Sequence, residues 1–106
     1  MDADELAELR SAIEERSAMR LPYSPRRVAV MLRLHLTPIA GSSAAVQADA
    51  LVYDPTRSDV EQAHAIALGC ALHLVRRYGL HSSADDVVRA LFPDLAPVRA
   101  RLNRTL

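Results

Sequence analysis

The run from Ser58 to Gly79, SDVEQAHAIALGCALHLVRRYG, constrains the fold of this chain more than any other stretch. Ser58 and Glu61 have the spacing of a capping box, which satisfies free amides at a helix start. Arg76 and Arg77 put positive charge where a helix C-terminus favours it, and Gly79 follows as a residue that tolerates the left-handed cap. Between these ends Val60, Ala63, Ile66, Ala67, Cys70, Ala71, Leu74 and Val75 form an apolar stripe, widened by Leu68 and Leu72. A helix apolar over most of its circumference belongs inside a domain. The rest of the chain is expected to pack around it.

The flanking segments supply the packing partners. Asp2 to Arg20 reads as an amphipathic helix, with Asp2 and Glu5 at capping-box spacing and Leu6, Leu9 and Ile13 on one face. Leu21-Pro22-Tyr23 breaks it. Ser24-Pro25 then opens a second helix with Pro at its first position, burying Val28, Met31, Leu32 and His35. Apolar and polar residues alternate over Leu34 to Ile39, with Pro38 restricting that strand to an edge or an end. Gly41-Ser42-Ser43 is a turn, and Ala44–Gln47 and Asp49–Tyr53 read as two further short strands. After Gly79, Ser82 with Asp85 or Ser83 with Asp86 caps a helix carrying Val87, Val88 and Leu91 that stops at Pro93. Asp94 caps a last helix with Leu95, Val98 and Leu102 on one face.

The expected fold class is therefore α+β. Residues 1–106 make a mostly helical single domain with a central buried helix and a small two- to three-stranded antiparallel sheet. Its parts are an amphipathic helix over residues 1–20, a core over 25–95 and a helical tail over 94–106. At 106 residues the chain is long enough for one hydrophobic core. Because only 4% of its residues are aromatic, that core must be aliphatic.

Charge patterning narrows the functional classes. The formal net charge is zero, so no global attraction to nucleic acid or anionic membrane operates. The distribution is uneven. Acidic residues crowd the first helix, and then Arg16, Arg20, Arg26, Arg27 and Arg33 follow with no acid after Glu15 until Asp49. A second basic group, Arg99, Arg101 and Arg104, lies in the tail. Solvated surface explains such runs most simply. As functional residues, these arginines would bind an acidic protein. Nucleic acid is less well supported, since no aromatic residues interleave them. All 13 basic residues are Arg and none is Lys, a bias that a GC-rich coding sequence accounts for. With one Cys, no signal peptide and no membrane span, a cytoplasmic protein is expected.

Metal and nucleophile chemistry find little to work with. Cys70 and His73 point within about 60° of each other on a helix and could share an ion, with His81 approaching from the following loop. His64 points away from both, at about 120° from Cys70 and 180° from His73. Zinc needs three or four converging ligands, so Cys70, His73 and His81 are weak candidates and no cofactor is expected. Cys70 as a nucleophile lacks a cationic neighbour or a helix N-terminus, and a buried inert thiol is the simpler role.

The order of helix, helix, small sheet, long buried helix and a helix ending in Leu-Phe-Pro resembles the ImmA/IrrE family of zinc metallopeptidase-like domains. Ala50-Leu51-Val52-Tyr53-Asp54-Pro55 resembles the strand and loop leading into that family's motif helix, Ala65 to Cys70 falls at its Ala-His-Glu-Leu-Gly-His motif, and Arg76 to Leu80 and then Val88 to Pro93 resemble the downstream part. The resemblance spans roughly residues 25 to 95, most of a small domain. It also implies what is missing. Ile66 stands at the first zinc His, Ala67 at the catalytic Glu and Cys70 at the second His, so nothing polarises or deprotonates a water. Intact members act beside helix-turn-helix repressors, often in mobile elements, and cleave or inactivate them. A member without its zinc would keep the binding surface and lose the scission. The resemblance thus implies a pseudoenzyme with no catalytic residue, a regulatory or inhibitory protein-binding module. Its partner would be a helix-turn-helix regulator or a larger complex, with self-association also open. The alternatives are a metal-dependent hydrolase with a non-standard Cys/His site and a structural subunit of a larger assembly.

Overall fold

The computed structural model describes residues 1–95. Its elements are α1 (Ala3–Glu14), α2 (Pro25–Met31), β1 (His35–Pro38), β2 (Ala45–Gln47), β3 (Ala50–Tyr53), α3 (Asp59–Tyr78), α4 (Ala84–Leu91) and a 3-10 turn over Pro93–Leu95. Among the described residues no helix is long and apolar enough to cross a membrane.

Local chemistry accounts for most helix ends. Ser24, Ser58 and Ser83 each accept a hydrogen bond from the backbone amide three residues on, that of Arg27, Glu61 and Asp86 respectively. The Ser58 hydroxyl also donates to Glu61 Oε1 at 3.0 Å, which ties the two side chains of the expected capping box to each other. Gly79 closes α3 at φ 60°, in the left-handed region. Two ends depart from expectation. The helix expected to reach Arg20 stops at Glu14, because the Ser17 hydroxyl turns back onto the Ile13 carbonyl at 2.8 Å and takes an acceptor the helix would have used. At the start of α1, Asp2 caps Asp4, but Glu5 does not reach back to complete a box. It accepts instead from the His81 amide at 2.8 Å and the Ser82 hydroxyl at 2.6 Å, which clasps α1 to the α3–α4 loop.

The three-stranded sheet is mixed, not antiparallel. Its order is β1-β3-β2, with β1 parallel to β3 (Leu36 opposite Leu51) and β2 antiparallel to β3 (Val46 opposite Leu51). The reason is burial. β3 turns Leu51 and Tyr53 into the core and takes the centre, where both of its edges are paired. The chain leaving β1 crosses to the far edge, forms β2 and returns through the two-residue Ala48-Asp49 turn. Asp54 then steers the chain into α3. Its Oδ1 accepts from the Thr56 amide at 2.9 Å and the Thr56 hydroxyl at 2.6 Å, and Arg57 lies 3.5 Å from its other oxygen.

α3 is the centre of the core, packed against α2, α4, β2 and β3. Ile66, Ala67, Cys70 and Ala71 are fully buried, with Leu9, Ile13, Val28, Leu51, Leu91 and Phe92 around them. Each large apolar side chain buried this way contributes about 1.5–3 kcal/mol. The stripe stops short of the helix start: Val60 is exposed. His35, expected on the buried side of the second helix, begins β1 instead and is exposed, 3.4 Å from Asp49. Asp94 lies within the 3-10 turn. The last helix expected beyond it, with Arg99, Arg101 and Arg104, lies outside the described residues.

Candidate functional site

The ends of α1, α2 and α3 meet on one side of the molecule. Arg16 stands two residues after α1, Arg33 two residues after α2, and Arg77 in the last turn of α3. Together with Met31 and Leu32 they line a cleft of about 630 Å3. A second cleft of about 360 Å3 adjoins it, lined by Arg16, Ser17, Met19, Arg26, Arg27, Val30 and Met31. Arg16 and Met31 belong to both, so the two form one continuous surface feature.

Its electrostatics are one-sided. Arg16, Arg26, Arg27, Arg33 and Arg77 are exposed, and none of them has a carboxylate partner within ion-pair distance among the described residues. Five carboxylates are engaged elsewhere: Glu14 with Arg10 and Arg20, Asp54 and Glu61 with Arg57, Asp86 with Arg89, Glu5 with the α3–α4 loop. A chain of zero net charge therefore presents a local positive excess. Arg26 is held over the Tyr53 ring at 5.7 Å and donates to Gln62 at 3.4 Å, an arrangement that orients its guanidinium without neutralising it.

The expected arginine group is thus partly assembled. Arg16, Arg26, Arg27 and Arg33 come together. Arg20 turns away, donating to the Met19 carbonyl at 2.9 Å and lying 4.0 Å from Glu14. Arg77, read from sequence only as a charge suited to a helix end, is a full member of the cleft. Its position near the end of α3 was visible in the sequence. That three helix ends converge was not.

The Cys/His candidates do not assemble. No group of three or more His, Cys, Asp or Glu side chains able to hold a metal ion occurs among the described residues. Cys70 is fully buried and its Sγ lies 3.6 Å from the Pro25 carbonyl oxygen, to which the thiol donates. Burial pushes that thiol up to about 12, so it stays protonated. His73 has its Nε2 buried with no hydrogen-bond partner among the described residues. Desolvation first, and then Arg77 and Arg76, hold its ring below the ordinary histidine range. His81 is exposed in the loop, with its backbone amide given to Glu5. Ile66 and Ala67 are sealed in the core beside Cys70. No family model matches the chain, and neither a curated protein nor a solved structure shows significant similarity to it.

Proposed function

We propose that this chain is a non-catalytic, regulatory protein-binding module that acts by occupying an acidic surface of its partner. The observation that carries the reading is the double cleft, where Arg16, Arg26, Arg27, Arg33 and Arg77 surround an apolar floor with no carboxylate paired to them among the described residues. Guanidinium groups left without counter-charges stay available to a partner, and charge complementarity directs both encounter and choice of partner. The apolar floor of Met19, Val30 and Met31 adds area that a purely solvated basic patch would lack.

The resemblance to ImmA/IrrE domains fits this reading. The positions that would carry the zinc ligands and the general base hold Ile66, Ala67 and Cys70, all fully buried. On this reading the scaffold has exchanged a hydrolytic centre for ordinary core and kept a surface for a regulator. A cytoplasmic setting suits a protein whose one cysteine is a buried free thiol.

The test is charge reversal. The chain and its R26E/R27E variant, both first shown to unfold at similar temperatures, are used to capture proteins from the source lysate. The expected result is a protein held by the parent chain at low salt, weakened at high salt and lost from the variant. A partner held equally by both would remove this surface from consideration.

A further inference from the structure

Arg33 adopts a backbone conformation that an arginine does not choose. Its φ is 60°. It occupies the position after the α2 C-cap in a Schellman motif, in which the Arg33 amide donates to the Val30 carbonyl at 3.0 Å and the Leu34 amide to the Ala29 carbonyl at 2.9 Å. Glycine is the usual residue there because it has no Cβ to strain, and α3 uses Gly79 for the same turn. A charge that merely offsets the helix dipole needs no such position, since Arg16 and Arg77 serve their own helix ends from ordinary backbone. An unfavourable residue kept at a glycine position points to a task for its side chain. That side chain lines the larger cleft with Arg16 and Arg77.

Charge counting indicates the ligand. Each converging helix end contributes about half a unit of negative charge, so three guanidinium groups leave an excess of about one and a half units. One or two carboxylates match that excess. The volume lies within the range of about 300–1,000 Å3 typical of ligand pockets, room for more than one side chain of a partner segment. Beside it Val30 is 70% exposed, an apolar side chain facing water over the Met19–Met31 floor.

Resting on the protein-binding reading above, we infer that the Arg16–Arg33–Arg77 cleft takes the carboxylates of an acidic partner segment while Val30 and Met31 receive an apolar side chain of the same segment. The partner chemistry is an extended or helical peptide in which Asp or Glu alternates with Leu-like residues. Arg33 is its anchor, a binding residue that the fold itself does not favour.

The test uses the full chain and a fluorescent peptide of alternating Glu and Leu, with a Gln/Leu peptide as control, read by anisotropy beside thermal melts. R33G is expected to melt at the same temperature or about 4–8 °C higher, because glycine relieves the backbone. It is expected to bind the Glu/Leu peptide about tenfold more weakly, the loss of one charge-assisted contact. V30S should weaken the same peptide several-fold with an unchanged melt. Equal affinity of parent and R33G would overturn the anchor role, and if R26E/R27E still abolished partner capture the protein-binding reading would stand without it. No binding of the Glu/Leu peptide by the parent chain would overturn the inference too, leaving partner capture to judge the broader reading. Displacement of the peptide by inorganic phosphate, but not by acetate, would overturn it in favour of a phosphate site.

Discussion

Gly69 in α3 sits directly on the Leu51 side chain of β3: a Cβ at position 69 would lie 2.5 Å from Leu51 Cγ. Leu51 is fully buried, so it has no free side to move to. The central helix lies as close to the sheet as it does because position 69 carries no side chain. G69A sets two effects against each other. Alanine improves helix propensity by up to about 1 kcal/mol, while overpacking of a filled core costs about 1–3 kcal/mol. At 2.5 Å the clash wins, and urea denaturation should show a net loss of about 1–2 kcal/mol. Adding L51V should return part of it, so that the double variant loses less than the sum of the singles. Stability equal to the parent's for G69A would mean that the helix can lift off the sheet at no cost.

The Cys70 thiol should be silent to aromatic disulfide reagents in the folded protein at pH 8. With its pKa near 12, roughly one part in ten thousand is thiolate there, and the sulfur is buried as well. Labelling should follow global unfolding in denaturant. The same shift sets an alkaline limit. Folding favours the protonated thiol, so its stabilisation is complete below the unfolded value of about 8.5 and falls by up to about 1.4 kcal/mol per pH unit above it. C70A should lose this part of the alkaline slope. Tyr23, whose hydroxyl burial also raises, adds a similar slope only above about pH 10. Rapid native labelling would show that the thiol is not sealed.

Asp54 should govern part of the acid response. The Thr56 hydroxyl and then the Thr56 amide, both bonded to its carboxylate, hold it below the usual range. A depressed folded value means stability that is present above about pH 3.9 and is lost as pH falls through the folded value. D54N should flatten the acid limb of a melting-temperature profile and lower the neutral plateau, since an amide accepts these bonds less strongly than a carboxylate. A profile superimposable on the parent's would show that the Asp54 turn is not coupled to global unfolding.

Ala48 is the counterpart of Arg33 away from the cleft. It too has positive φ, at 54°, in the two-residue turn between β2 and β3, and it lines neither arginine cleft. A48G should stabilise the fold by about 0.5–1 kcal/mol in chemical denaturation and leave peptide affinity unchanged. A change in affinity here would mean that turn strain reaches the cleft by some indirect route.

Ser24, Ser58 and Ser83 could be read as caps, and Gly79 as a helix stop, because each acts on residues within one turn of itself. The burial of Ile66, Ala67, Cys70 and Leu74 followed from periodicity for the same reason. Ser17 was harder to read. Its bond to Ile13 is local, but the same residue could have pointed to solvent while α1 continued. Glu5 misled because its spacing from Asp2 suits a capping box, whereas two donors 76 and 77 residues away make a stronger claim on the carboxylate.

What the sequence by itself determined was the presence of α1 to α4 and the serine caps of α2, α3 and α4, the α+β class and the identity of α3 as the buried centre, since hydrogen bonds and side-chain periods of short range suffice for these. The tertiary structure alone decided that β1 runs parallel to β3, that Gly69 rests on Leu51, and that Arg77 joins Arg16 and Arg33 in one cleft. Each of those depends on which distant segments bury their apolar faces together, and a strand's alternation or a helix's stripe states only that a face will be buried, never against what.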